Sequence, residues 1–201
     1  MALLPTAAMP FRPDLPGADI SYYRNFLSKD LGEAYFRTLL ENLDWQQHRI
    51  KIFGKILPQP RLTALYAEGE VPYSYSGLTL FPKKFTPELQ EIRQELEKHT
   101  PVHFTHCLAN LYRNGNDSMG LHSDDEKGLG RNPVIASISL GATRKFKLKH
   151  KGRKDQKFEI DLEPGSLLLM QGSTQHFWKH ELPKTKKQMA PRINLTFRTI
   201  L

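Results

Sequence analysis

The chain has 201 residues, enough to bury one core and short for two domains. Its 39% hydrophobic and 25% charged residues are ordinary for a globular protein, and a single cysteine, Cys107, excludes an intramolecular disulfide or a cysteine-based zinc cluster. A net charge of +8 with a pI near 9.5 favours a polyanionic partner, and no apolar run approaches the roughly 20 residues of a membrane helix.

Residues 1–18 form a Pro-rich arm, expected to be loosely held. Pro5, Pro10, Pro13 and Pro16 break its apolar stretch, and it lacks the basic and sustained apolar regions of a signal peptide. The expectation is a soluble, monomeric intracellular protein, cytoplasmic or nuclear. Ser28 then caps a predicted helix over 29–43, with Leu31, Tyr35, Leu39 and Leu43 at near-helical spacing. Residues 48–81 read as short strands with turns at Phe53-Gly54-Lys55 and Pro58-Gln59-Pro60. A second helix starts at Thr86 as N-cap with Pro87 at its first position, and Leu89, Ile92 and Leu96 carry its apolar stripe.

From residue 101 short β-rich runs recur without helices between them: 102–112, 134–140, 145–150, 157–162, 166–171 and 192–200. This pattern predicts an α+β, mainly β fold, with a double-stranded β-helix (jelly roll) core and two N-terminal helices packed on it. One domain over 1–201 is expected: the arm 1–18, helices and strands over 19–100, and the β core over 101–201. Basic residues cluster in the core, with eight Lys or Arg between Arg144 and Lys157 and a second group at Lys184, Lys186 and Lys187. A solvated surface loop would show the same clustering.

Three motifs carry the chemistry. In His122-Ser123-Asp124, residues two apart share one side of an extended segment, so an imidazole and a carboxylate can grip one metal ion. Such a triplet arises readily by chance and gains weight from its company. His180 supplies a second imidazole, with His176 as a competing candidate, and two His plus one carboxylate leave coordination positions open for non-haem Fe(II) chemistry. The same donors also suit catalytic zinc. In Arg192-Ile193-Asn194-Leu195-Thr196-Phe197-Arg198 polar and apolar residues alternate strictly. That suits either a half-exposed strand or one whose polar face lines a barrel interior. Buried guanidinium groups in the second case need anions, and a dicarboxylate can accept a bidentate fork from arginine.

Together, His122-x-Asp124, His180 and Arg192-x-Asn194-x-Thr196-x-Arg198 resemble the motif set of the AlkB family of 2-oxoglutarate dioxygenases, over roughly residues 45–201. Pro60-Arg61-Leu62-Thr63, Tyr73-Ser74-Tyr75-Ser76-Gly77 and His122-Ser123-Asp124-Asp125-Glu126 are most similar to its eukaryotic DNA- and RNA-repair homologues. The resemblance implies Fe(II) held by His122, Asp124 and His180, with 2-oxoglutarate and O2 as cosubstrates. It implies that Arg192 takes the distal carboxylate of 2-oxoglutarate, assisted by Tyr112, and that Asn110, Asn194 and Arg198 orient the rest. The implied reaction is oxidative demethylation of bases such as 1-methyladenine and 3-methylcytosine in single- or double-stranded DNA, or in RNA. Formaldehyde, succinate and CO2 are the products.

A base inside a duplex must be flipped out to be reached. The resemblance places Arg61, Tyr73, Tyr75 and Ser76 in strands that recognise the flipped nucleotide. Core packing is the alternative for the tyrosines. Glu126 could accept from an exocyclic amine or be a plain surface acid. Phe53, between basic and apolar residues at a glycine turn, resembles the wedge of the duplex-repairing homologue, and a core position is its alternative. Rival functions are a non-catalytic nucleic-acid-binding module, a zinc hydrolase, and an oxygenase of the same family acting on protein or lipid.

Overall fold

The computed structural model describes residues 9–52, 54–75 and 77–201, less the side chains of Lys51, Ile52 and Tyr75. The first strands are Asp19–Tyr23 (β1), Arg49–Ile52 (β2), Lys55–Pro58 (β3), Leu62–Ala67 (β4), Tyr73–Tyr75 (β5), Leu78–Leu80 (β6) and Lys83–Lys84 (β7). There follow His106–Tyr112 (β8), Met119–His122 (β9), Ile135–Gly141 (β10), Arg144–His150 (β11) and Lys157–Leu162 (β12). The last are Leu167–Gln171 (β13), Trp178–Leu182 (β14) and Arg192–Arg198 (β15). A large sheet has the order β1-β13-β10-β15-β8-β4-β7 and a small one β12-β11-β14-β9, while β2-β3 and β5-β6 stand apart as hairpins. This is the mainly β, jelly-roll sandwich that the strand pattern predicts.

Both predicted helices form where their caps place them. In Lys29–Asn42 (α1) the Ser28 hydroxyl accepts from the Leu31 N–H at 3.3 Å, and in Pro87–Glu97 (α2) the Thr86 hydroxyl accepts from the Leu89 N–H at 3.4 Å. Tyr35 and Leu39 of α1 and Leu89, Ile92 and Leu96 of α2 are buried. They join one core cluster with Cys107, Ala109 and Leu111 of β8 and Ile193, Leu195 and Phe197 of β15. Because strand side chains alternate, Asn110, Tyr112, Arg192, Asn194, Thr196 and Arg198 face the other way, between the two sheets. At one end of that space Ile135, Leu168 and Met170 of the large sheet pack on Phe146, Leu148 and Trp178 of the small one. Further along, the polar side chains of β8 and β15 share the space with Leu108, Met119 and Leu182. Gly141 closes β10 at φ 82°, where a Cβ would lie 2.5 Å from the Pro191 carbonyl oxygen, so glycine lets the chain enter β15 opposite Arg192.

Four details depart from expectation. The described part of the arm, 9–18, is held: Phe11 bridges Tyr22, the Trp178 indole donates to the Pro16 carbonyl at 3.0 Å, and Leu15 and Ala18 pack between the sheets. The strand expected from 102 begins at His106, because the Phe104 N–H is taken by Glu97 and the Thr105 N–H by the Arg198 carbonyl. A single helical turn, Thr174–Phe177 (α3), interrupts the β half. Strands β1, β9 and β14 are additional. The β9 segment Met-Gly-Leu-His has little strand propensity and is strand through its pairing with β14. Among the described residues no helix is long and apolar enough to cross a membrane.

Candidate active site

Register brings the first two site residues together. His122 at the end of β9 pairs directly with His180 in the middle of β14, and their rings lie 4.3 Å apart between centroids. Phe146, on the neighbouring β11, stacks on His180 at 5.3 Å and fixes that ring from the other side. Asp124, two residues beyond His122, is 3% exposed and turns its carboxylate toward both. Its oxygens lie 3.8 Å from His122 Nε2 and 3.9 Å from His180 Nε2. These separations are too long for hydrogen bonds, so three lone-pair donors face one another with no proton between them. All three ligand-capable atoms lie within 4.8 Å of one another, and no other such group occurs among the described residues. His176 is exposed and bonds Asn132 at 2.9 Å, so the second imidazole of the cluster is His180.

The protonation states suit a cation. His122 Nδ1–H donates to the Gly120 carbonyl at 2.9 Å, which leaves the Nε2 lone pair facing the cluster. Burial, reinforced by His122, pushes His180 down to about 3, so its ring is neutral near pH 7. Burial alone would raise Asp124, but Arg198, His180 and His122 outweigh it and hold the carboxyl at about 2. Arg198 makes the closest of these contacts, donating from Nη2 to Asp124 Oδ1 at 2.9 Å. Burial would lower Arg198 and Asp124 opposes it, so its pKa is raised.

Behind the cluster the polar side of β15 meets β8 and β10. Arg192 pairs with Tyr112, Asn194 with Asn110 on one side and Ser139 on the other. Arg192 is 0% exposed, and its Nη2 donates to Ser139 Oγ and Asn194 Oδ1, each at 2.9 Å. Its Nε and Nη1 have no partner among the described residues, and neither do Nε and Nη1 of Arg198. Burial, opposed by Tyr112, brings Arg192 down to about 10, still cationic near neutrality. A buried cation with unmet N–H groups is costly unless an anion joins it. The Tyr112 ring lies 5.4 Å from the Arg192 guanidinium and bounds the same space. A cavity runs from His122, Asp124 and His180 to Asn110, Tyr112, Asn194, Thr196 and Arg198. Two His and one carboxylate fit Fe(II), and four unmet guanidinium positions fit a small diacid.

Outside the cluster opens a cleft of about 670 Å³ lined by Arg61, Tyr73, Leu121, His122, Glu126 and Arg198, among others. Three predicted substrate residues, Arg61, Tyr73 and Glu126, therefore share one wall system. Arg61 does more than line it: its Nε donates to Asn110 Oδ1 at 2.7 Å and fixes that amide's orientation. Burial, then Asp124, raises the Glu126 carboxyl, and its Oε2 is buried without a partner among the described residues. Phe53, Ser76 and the side chain of Tyr75 lie outside the described residues.

Sequence reasoning missed several supporting residues. Gln175, in α3, accepts from the Asp124 N–H at 3.0 Å, and its own carbonyl accepts from Lys151 Nζ at 2.9 Å. Lys151 also reaches Asp125 at 3.0 Å, so the loop carrying Asp124 is braced from the β11–β12 turn. Ser137 donates to Asn194 at 3.1 Å. No local pattern marks these residues. Only register could reveal them.

Such a jelly roll with a His-Asp-His cluster and a buried arginine is the construction of non-haem Fe(II) enzymes that use a 2-oxo acid. Residues 19–198 match the family model described as the 2OG-Fe(II) oxygenase superfamily. The chain is 42% identical over 182 residues to the bovine "Alpha-ketoglutarate-dependent dioxygenase alkB homolog 3", covering 85% of this chain and 63% of that protein. It is 38% identical over 195 residues to the human "DNA oxidative demethylase ALKBH2", covering 92% of this chain and 74% of that protein. Among solved structures, "The structure of OsALKBH1" matches with a TM-score of 0.63 at 17% identity, over 94% of this chain and 100% of that one, which shows the fold. The chain spans somewhat less than two thirds of the length of the alkB homolog 3 relatives, 63% of the bovine and 66% of the human one. The chain belongs to the AlkB family of the 2OG-Fe(II) oxygenase superfamily, whose cofactor is Fe(II) and whose cosubstrate is 2-oxoglutarate.

Proposed function

We propose that this chain is an Fe(II)- and 2-oxoglutarate-dependent dioxygenase that demethylates N-alkylated bases such as 1-methyladenine and 3-methylcytosine in DNA, with RNA as a further substrate. The observation that carries the reading is the pairing of a converged His-Asp-His cluster with a fully buried arginine whose Nε and Nη1 lack partners among the described residues. A zinc hydrolase or a passive binding module has no use for that arginine. The named relatives, a DNA oxidative demethylase among them, support the substrate class.

In this reading His122, Asp124 and His180 hold Fe(II), which with 2-oxoglutarate and O2 supplies the oxidising power for hydroxylating an N-methyl group. Succinate, CO2 and formaldehyde are released. The remaining work belongs to the chain. Arg192 and Tyr112 anchor the distal carboxylate, and Asn110, Asn194 and Arg198 orient the near end. Burial keeps His180 unprotonated, and Arg198 keeps Asp124 ionised, so neither donor competes for protons near pH 7. Asn110 is held in its acceptor orientation by Arg61. The flipped base enters the cleft lined by Tyr73 and Glu126, where a carboxyl raised by burial sits beside a base edge, and by the family resemblance Tyr75 and Ser76 contact the same base. Phe53, which the family resemblance makes a wedge, fills the gap left in a duplex. The protein works as a monomer, and its lone buried Cys107 suits a reducing cytoplasm or nucleus.

Mass-spectrometric demethylation of matched methylated single- and double-stranded DNA and RNA tests the reading, with iron or 2-oxoglutarate withheld in turn. Demethylation that requires both is expected. Turnover independent of 2-oxoglutarate would overturn it. In the same assay Phe53→Ala is expected to lower activity on duplex about tenfold more than on single strands, in line with the cost of unstacking a base without a wedge.

A further inference from the structure

The outer face of the small sheet neutralises its charges in two rows and fails to in a third. Lys145, Lys147 and Lys149 lie at period two along β11 and so share one face. Register sets Asp161 beside Lys145, and Glu159 and Glu181 on either side of Lys147. Lys145 Nζ lies 3.4 Å from both Asp161 and Glu159, and Lys147 Nζ lies 2.6 Å from Glu159. The next row reads Lys157, Lys149, Lys179 across three adjacent strands. Like charges directly opposite one another destabilise a sheet. Lys149 escapes diagonally to Glu181 at 2.8 Å, whereas Lys157 and Lys179 have no ion-pair partner among the described residues.

This row opens on a cavity of about 600 Å³ completed by Leu121, His150, Lys151 and Lys154. Lys151 is engaged by Asp125 and the Gln175 carbonyl, while Lys154 has no ion-pair partner among the described residues. Leu121 borders both this cavity and the cleft beside the His-Asp-His cluster, so the two adjoin across that side chain. We propose that the Lys157-Lys149-Lys179 row, with Lys154, is a track for the phosphodiester backbone of the substrate strand, holding the nucleic acid while one base occupies the cleft. The inference rests on the nucleic-acid reading above. Lysines on flexible stems suit sequence-independent phosphate contact, and a docked polyanion relieves the like-charge repulsion that the sheet leaves uncompensated.

The test compares wild type with the triple variant Lys154→Gln/Lys157→Gln/Lys179→Gln, all exposed positions. For a methylated single strand of about 20 nucleotides, the slope of log K against log salt is expected to shrink by about 2 and KM to rise about tenfold at low salt. Turnover of a methylated mononucleotide, which carries no phosphodiester, is expected to stay unchanged. Lys179→Glu provides an independent signature. An acid beside Lys149 should raise Tm by about 1–3 °C while weakening binding of the long strand, an opposition that a purely structural lysine would not produce. An unchanged salt slope in a triple variant that still demethylates the long strand would overturn the track and leave the substrate reading intact. Loss of polyglutamate or phosphatidylserine-vesicle binding with unchanged strand binding would also overturn it, assigning the row to another partner. If wild type neither binds nor demethylates the long strand, the substrate reading falls and takes the track with it.

Discussion

The large sheet buries both its faces, and the two are opposite in chemistry. Along β15, Ile193, Leu195 and Phe197 are 0% exposed against the helices, while Arg192, also 0% exposed, and Arg198 face the small sheet. On the helix face the strand side chains are apolar and ask only for contact. On the inter-sheet face two guanidinium groups keep N–H positions without partners. The contrast separates a face built for stability from a face whose cost is offset only when something else binds.

The sharpest way to break this contrast is Asp124→Ala. It deletes a proposed metal ligand and strands Arg198 as a buried cation. Succinate formation should fall about 10³-fold or more, and chemical denaturation of the metal-free protein should show a loss of about 3–5 kcal/mol. Arg192→Met asks whether the inter-sheet face serves binding. KM for 2-oxoglutarate is expected to rise about 10²-fold, while stability stays level or rises by about 1–4 kcal/mol because a buried unpaired charge is gone. A fall in stability with an unchanged KM would make Arg192 structural.

Leu195→Ala makes the mirror-image change three residues away on the same strand. Denaturant unfolding should record a loss of about 2–5 kcal/mol, with KM for 2-oxoglutarate unchanged. The smallest effect is a pH dependence on the inter-sheet side of β8. His106 is buried, with Nε2 on the Val71 carbonyl at 2.8 Å, and burial lowers its pKa below the ordinary histidine value. Its unfolded state therefore binds the proton more readily. The stability it contributes is complete above about pH 6.5 and is lost as pH falls through that value toward the lower folded pKa. His106→Gln should give a shallower decline of Tm between about pH 7 and 5 than wild type.

Much of the site was legible before any fold was known. The alternation in 192–198 offered two burial patterns, and the buried one holds. The cap residues Ser28 and Thr86 marked helix starts to the residue. Strand pattern alone left His176 beside His180, since both follow β13; the family resemblance chose His180, and the pairing of β14 with β9 sets it opposite His122. Arg61 shows the same limit. It reads as a residue of the base pocket, yet its shortest bond is to Asn110, a partner 49 positions away.

By itself the sequence determined what is periodic or local: the helices and their caps, the strand alternation, and a donor set whose elements suit iron and a diacid. Tertiary structure alone decided which distant side chains meet. It aligned three lysines from separate strands into one row, set Gln175 under Asp124, and left Arg192 sealed without a carboxylate among the described residues. The physical reason is that side-chain direction follows from backbone period, whereas strand partners and register follow from packing the whole chain at once.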